Sequence, residues 1–244
     1  MKLFLDDGGT GKGAPLVLVH GLGCDSTVWS AQLEHLRKSR RVLAPDLRGH
    51  GKSEHASEYT VQSIVDDLLQ TLPVLGEQFW LAGHSFSGTV VSRFAGQHPG
   101  QLAGVIFVDA AGDVSQAPPE MKKAFLEQDR DLTWPKLQKA FAEMVGPKAK
   151  EETKRRVLES AEKMDIRAFA GLRESMLDNP GAELLAKFTG PRFAIEVDEP
   201  QSGRSASSLP GVTRKTIPDV SHWLMLDDPA STNRAFDEVL AWTG

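Results

Sequence analysis

Apolar and polar positions follow two rhythms along this chain. Short apolar runs bounded by turn residues predict strands at 2–6, Leu16–Val19, Arg41–Pro45, Phe79–Ala82, Gly104–Val108, Arg192–Val197 and Val212–Ile217. The run at Leu16–Val19, between Pro15 and Gly21, reads as a strand buried on both faces. Other stretches place apolar residues at i, i+3 and i+4, the spacing of one helix face. One such helix carries Trp29, Leu33 and Leu36, with Ser26 as its expected N-cap. A second, capped by Thr60, carries Val61, Ile64, Val65, Leu68, Leu69 and Leu72. A third presents Val90, Val91, Phe94 and Ala95, and a last one runs from about Pro229 to Trp242. Gly8 to Gly13 reads as a turn-rich loop.

Strands that alternate with helices predict an α/β fold with a doubly wound, mostly parallel sheet covered on both faces. From Gly112 the rhythm changes. Residues 116–188 hold helical patterns, Lys/Glu pairs and prolines at 118, 119, 135, 147 and 180, with almost no strand signal. That is too long for a connecting loop, so three to five inserted helices are expected. The division is a core of 1–112 and 190–244 and a helical cap over 113–189. In such sheets, sites lie beyond the carboxyl ends of the strands. The turn at Gly21, the loop after Pro45, Ser85, Asp109, Asp198 and the loop of His222 all follow predicted strands, so they converge on one edge.

Composition narrows the picture. The 244 residues suit one α/β domain, and the 40% hydrophobic fraction suffices for a sizeable core. A net charge of −5 argues against a nucleic-acid partner, which needs a basic surface. The single cysteine, Cys24, leaves no internal disulfide and no cysteine metal cage. No stretch approaches the ~18 apolar residues of a membrane span, and the first residues lack a signal-peptide pattern. The expectation is a cytoplasmic chain with a small-molecule partner and no membrane partner. No H-E-x-x-H or comparable spacing occurs, so no metal is expected, and no cofactor is implied. Gly51-Lys52-Ser53 ends like a phosphate-binding loop, but such a loop needs glycine at 46, where Asp46 stands.

The chemistry centres on Gly83-His84-Ser85-Phe86-Ser87-Gly88. An apolar strand stops at Gly83 and a helical pattern begins just after Ser85. A serine in so tight a strand-to-helix turn is a nucleophile elbow, whose neighbours must be small. The pattern G-x-S-x-G has one departure here: Ser87 precedes the glycine. A serine hydroxyl needs a base to take its proton, and His222, in Val220-Ser221-His222-Trp223 after the last strand, is the best one. His35 and His98 fall in helices, and His20 and His84 flank turns and shape them. The oxyanion hole needs two backbone N–H donors, and the residue after the nucleophile, Phe86, supplies one.

Taken together, His20-Gly21-Leu22-Gly23, Asp46 to Ser53, Gly83 to Gly88 and Ser221-His222-Trp223 resemble the α/β-hydrolase superfamily, in its cap-bearing, esterase-like branch. The resemblance spans nearly the whole chain and is weakest in 113–190. It implies an eight-stranded sheet. With only about fifteen residues before Leu16, one strand is missing and seven are expected. It also implies Leu22 as the second oxyanion donor, and hydrolysis of a carboxylic ester or lactone through an acyl-enzyme. The Gly21–Asp25 loop is similar to that of receptor relatives, so a ligand receptor with slow or no turnover is the alternative from another class. Hydrolysis or lysis of a C–C bond on the same residues is a further one.

The acid has two candidates. In the family it usually follows the seventh strand, in a G-x-x-D turn before a helix. Here that stretch is Val197-Asp198-Glu199-Pro200, without the glycine or the helical pattern. Asp109 ends the strand after the elbow, where some family members carry their acid. Asp109 is preferred narrowly because a strand end holds a group more rigidly than a loop. Asp198 stays as the alternative and Glu199 as a third. In the insertion, Trp134, Phe141, Met144, Phe169, Met176 and Leu177 either line a substrate cavity or pack the cap itself.

Overall fold

The computed structural model describes residues 1–76, 78–198 and 205–242. Its strands are β1 (Leu5–Gly8), β2 (Gly13–Val19), β3 (Arg40–Pro45), β4 (Phe79–His84), β5 (Leu102–Val108), β6 (Arg192–Val197) and β7 (Thr213–Ile217). They form one seven-stranded sheet in the order β1-β3-β2-β4-β5-β6-β7. Only β1, at one edge, runs antiparallel to its neighbour, with Leu5 opposite Pro45 and Gly8 opposite Val42. β1 starts later than the pattern at 2–6 indicates, and its pairing carries it into the expected loop. The central strands read as near-continuous apolar runs because both faces are covered: Leu16–Val19 and Val105–Val108 have no exposed surface.

The helices around the sheet are α1 (Ser30–Leu36), α2 (Val61–Thr71) and α3 (Ser87–Gln97), with the short α9 (Leu224–Asp227) and α10 (Pro229–Leu240) at the far end. α2 opens on a reciprocal pair: Thr60 Oγ1 accepts from Ser63 N–H, and Ser63 Oγ accepts from Thr60 N–H. Ser26 is not the cap of α1. Asp25 Oδ1 takes the Thr27 amide at 3.0 Å and starts a 3-10 turn over Ser26–Trp29, which leads into α1. A carboxylate accepts more strongly than a hydroxyl, which moves the start one residue back.

Between β5 and β6 lie α4 (Pro119–Asp129), α5 (Trp134–Val145), α6 (Glu151–Ala161), α7 (Ile166–Met176) and α8 (Gly181–Ala186). Their packing divides them. α5 lies on α6, α4 on α7 and α7 on α2, whereas α8 packs closely on α3. Polar ties fix the segment to two strand-end loops and to α9. Tyr59 Oη donates to Asp165 Oδ2 at 2.7 Å, Lys163 Nζ meets Asp25 Oδ2 at 3.2 Å, and Thr153 Oγ1 donates to the buried Asp227 at 2.6 Å. No helix among the described residues is long and apolar enough to cross a membrane.

Candidate active site

The elbow is a strained point held from several sides. Ser85 has φ 56°, the left-handed region that costs a non-glycine residue of order 1–3 kcal/mol. Its amide donates to Val108 O at 3.1 Å, and its carbonyl accepts from Gly88 N and Ala111 N, each at 3.0 Å. Neighbouring chain approaches so closely that side chains are excluded. A Cβ on Gly83 would meet Ser87 O at 2.6 Å, and one on Gly88 would meet Ala111 O at 2.4 Å. Ser87, the departure from the elbow pattern, has a use of its own. It is fully buried and its hydroxyl donates to His20 O at 2.5 Å, tying the elbow helix to the loop that holds Leu22.

His222 reaches the elbow from the loop after β7. Ser85 Oγ lies 2.7 Å from His222 Nε2, and Asp109 Oδ2 lies 2.5 Å from His222 Nδ1. An ionised carboxylate can only accept, so Nδ1 carries the proton and Nε2 is left to accept from the serine hydroxyl. Asp109 itself is fixed by the sheet. Its amide donates to Ile195 O at 2.8 Å, and its other carboxylate oxygen accepts from Val197 N at 3.3 Å. Asp198 faces elsewhere, with Oδ1 3.8 Å from Lys148 Nζ and its side chain 41% exposed. Glu199 lies outside the described residues. The place of Asp109 beside His222 therefore follows from the pairing of β5 with β6.

The amides of Leu22 and Phe86 have no acceptor among the described residues. Phe86 precedes the first turn of α3, whose free N–H groups and dipole favour negative charge. The Leu22 turn is closed by Cys24 N–H on Gly21 O at 3.2 Å.

Several side chains that touch this floor carry no obvious sequence signal. His84 Nε2–H donates to the His222 carbonyl at 2.9 Å, and the two rings lie 4.7 Å apart. Burial pushes the His84 pKa well below the ordinary 6.5, and the neighbouring His222 lowers it further. It is therefore neutral, and its buried Nδ1 has no partner among the described residues. Asp227 accepts the Ser221 amide at 2.8 Å, so the carboxylate that anchors α6 also fixes the residue before His222. Burial pushes the Cys24 thiol up to about 12, and it receives the Trp223 indole N–H at 3.3 Å. A protonated, buried thiol is chemically inert.

A cavity of about 200 Å³ opens above Ser85. Its floor is Leu22, His84, Ser85, Phe86, Ala111 and Trp223, and its roof is Phe125, Phe141, Met144, Phe169, Arg173 and Met176. Of the six residues that the sequence offers either for cavity lining or for cap packing, four stand in that wall. Trp134 and Leu177 do not, and Leu177 is buried elsewhere. Phe125 and Arg173 were not among those proposed. Their only signals were the apolar spacing of α4 and a charge inside the apolar pattern of α7. No group of three or more His, Cys, Asp or Glu side chains gathers as a metal site among the described residues.

A strand–serine–helix turn, a histidine loop after the last strand and a helical segment after the strand that follows the elbow recur together in one family. The model of the alpha/beta hydrolase family matches residues 16–235. The chain belongs to that family. Solved alpha/beta hydrolases superpose on nearly all of it. An esterase from Thermogutta terrifontis is 26% identical with a TM-score of 0.81, over 98% of this chain and 92% of that one. An enol-lactonase from Burkholderia xenovorans LB400 is 21% identical with a TM-score of 0.80, over 98% and 96%, a likeness of fold alone. Among curated relatives, 2-hydroxymuconate semialdehyde hydrolase from Pseudomonas sp. (strain CF600) is 36% identical over 109 residues, 42% of this chain and 38% of that protein. For the mycobacterial proteins that match first, the matched stretch spans 30% of their length.

Proposed function

We propose that the chain is a serine hydrolase that cleaves a carboxylic ester or lactone of a small molecule through an acyl-enzyme, beneath a helical cap. The observation that carries this reading is the hydrogen-bonded run from Ser85 Oγ, which lines the cavity floor, through His222 to Asp109. Likeness to an esterase over nearly the full chain supports it.

Each step uses a group already in place. Ser85 Oγ attacks the acyl carbon while His222 Nε2 takes its proton. The negative charge that develops on the acyl oxygen falls to the free amides of Leu22 and Phe86. His222, now an imidazolium, is stabilised by Asp109 and returns the proton to the leaving alcohol oxygen as the carbon–oxygen bond breaks. Water repeats the sequence: it gives a proton to His222, attacks the acyl carbon and releases the acid, and Ser85 recovers its proton. Ser85→Ala is expected to lower turnover of a short-chain aryl ester by up to about 10⁶-fold, with an unchanged melting temperature. Retention of a tenth of the activity would remove Ser85 from this role.

A second reading, hydrolysis of a C–C bond by the same residues, is favoured by the match to the Pseudomonas semialdehyde hydrolase. A screen that pairs aryl esters and lactones with a vinylogous 1,5-diketone distinguishes the two. Faster turnover of the diketone would favour the second.

A further inference from the structure

The roof of the cavity is apolar except at one place. Arg173, on α7, is its only residue with a permanent charge among the described residues. The guanidinium carbon sits 3.6 Å from the centre of the Phe125 ring and 4.9 Å from that of Phe169. Contact with two rings, both in the cavity wall, confines the group. Nε donates to Asp129 Oδ2 at 2.7 Å, and the side chains of that pair are only 15% and 8% exposed. Burial pushes the Arg173 pKa down. Asp129 takes one of the five N–H donors of the fork, and neither terminal amino group has an acceptor among the described residues.

An arginine there has a structural use: it joins α4 to α7. Lysine would give the same charge. The two-ring contact and the fork explain more if the remaining donors meet the substrate. Because Asp129 already balances the charge, a second carboxylate in this apolar wall would leave a net buried negative charge, which is costly. An uncharged oxygen needs no such compensation and gains a charge-assisted hydrogen bond. The volume sets the scale: an apolar cavity of 150 Å³ holds benzene, so about 200 Å³ takes an acyl group of roughly six to eight heavy atoms.

Building on the serine-hydrolase reading above, we propose that Arg173 determines specificity, and that the acyl group of the natural substrate carries an uncharged oxygen acceptor, such as a keto or amide carbonyl, apart from the scissile bond. The acceptor meets the terminal amino groups of Arg173 while the ester carbon lies at Ser85. The Phe125 and Phe169 rings flank the chain between them.

The test uses three aryl esters of similar length: pentanoate, 4-oxopentanoate and the monoester of succinate. Each kcat/KM is divided by the ester's rate with hydroxide, to remove intrinsic reactivity. The expected result is a preference of at least about tenfold for the oxo ester over the pentanoate, the size of one charge-assisted hydrogen bond, with the succinate monoester below the oxo ester. Arg173→Met combined with Asp129→Asn, which leaves no unpaired buried charge, brings the oxo preference to within about twofold of unity. Active sites are counted with a serine-directed phosphonate, so a loss of folded protein does not enter the ratio. A wild type that prefers the pentanoate, a preference that survives in the double variant, or a succinate monoester turned over best would each overturn the assignment. If pentanoate turnover persists in Ser85→Ala, the hydrolase reading fails first. If it vanishes there and no oxo preference exists, only the role of Arg173 fails.

Discussion

The floor and the roof of the cavity are built in different ways. On the floor, Ser85 and Asp109 stand at strand ends held by backbone groups, and His222 sits in a loop that Asp227 and His84 hold through the Ser221 amide and the His222 carbonyl. Ser85 is pinned by Val108, Gly88 and Ala111, and Asp109 by Ile195 and Val197. The roof is made of helices that meet it through side chains: Phe125 from α4, Phe141 and Met144 from α5, Phe169, Arg173 and Met176 from α7. Backbone ladders fix positions to a fraction of an ångström. Packed side chains define a shape but tolerate repacking when volume is conserved. The same sheet edge can therefore keep one chemistry while the helices above it change what is admitted.

The comparison predicts that changes on the floor strike turnover and changes on the roof strike affinity and stability. Asp109→Asn is expected to lower kcat by as much as about 10⁴-fold, with the melting point little changed. Asp198→Asn, next to the exposed Lys148 pairing, should change kcat by less than about tenfold. Steady-state kinetics on one ester separates them, and equal losses would break the distinction between strand end and loop.

On the roof, Phe141 is 1% exposed and packs edge-on against Phe169, 5.8 Å between ring centres. Phe141→Ala should cost about 3–5 kcal/mol of stability and raise KM for short acyl chains more than it lowers kcat. Urea unfolding and kinetics on a chain-length series check this. A kcat loss as deep as that of Asp109→Asn would contradict the division of labour.

The smallest effect concerns buried histidines under the floor. Burial pushes the His20 pKa down, and pushes that of His50 to about 3, with the neighbouring His20 lowering it further. His84 is shifted the same way. The unfolded chain binds these protons near pH 6.5 and the folded one does not. Their contribution is therefore complete above pH 6.5 and is lost as the pH falls below it, down to about 3 for His50. Each site adds a slope of up to about 1.4 kcal/mol per pH unit. Asp165, held near 2 with burial opposed by its bonds to Arg167 and Tyr59, loses its contribution only below about 3.8. Urea unfolding between pH 7 and 5.5, above the range where carboxylates lowered by folding, such as Glu152 and Glu238, titrate when unfolded, should thus show the histidine slope, and His50→Asn should reduce it.

The floor was largely legible in the sequence because its determinants are local. An apolar run, glycines and a serine within residues 79–88 specify the elbow, and strand–helix alternation places the loops on one edge. The choice between Asp109 and Asp198 was not local. Both follow strands, and the register of β5 on β6, with the turn of Asp198 toward Lys148, separates them. The roof was legible only as an apolar pattern. Which faces of α4, α5 and α7 meet depends on how helices far apart in sequence pack. The pairing of Arg173 with Asp129 and Phe125 spans two helices and has no sequence motif. Asp227 was hidden for the same reason: its partners Ser221 and Thr153 lie in different elements.

The central claim is that Ser85 is the atom donor to the acyl-enzyme, activated through His222. Intact-mass spectrometry after exposure to a fluorophosphonate tests it most directly, followed by peptide mapping. The account predicts one adduct per chain on Ser85, none in Ser85→Ala, and labelling strongly slowed in His222→Ala. An adduct on another residue, or equal labelling of the wild type and Ser85→Ala, would contradict it.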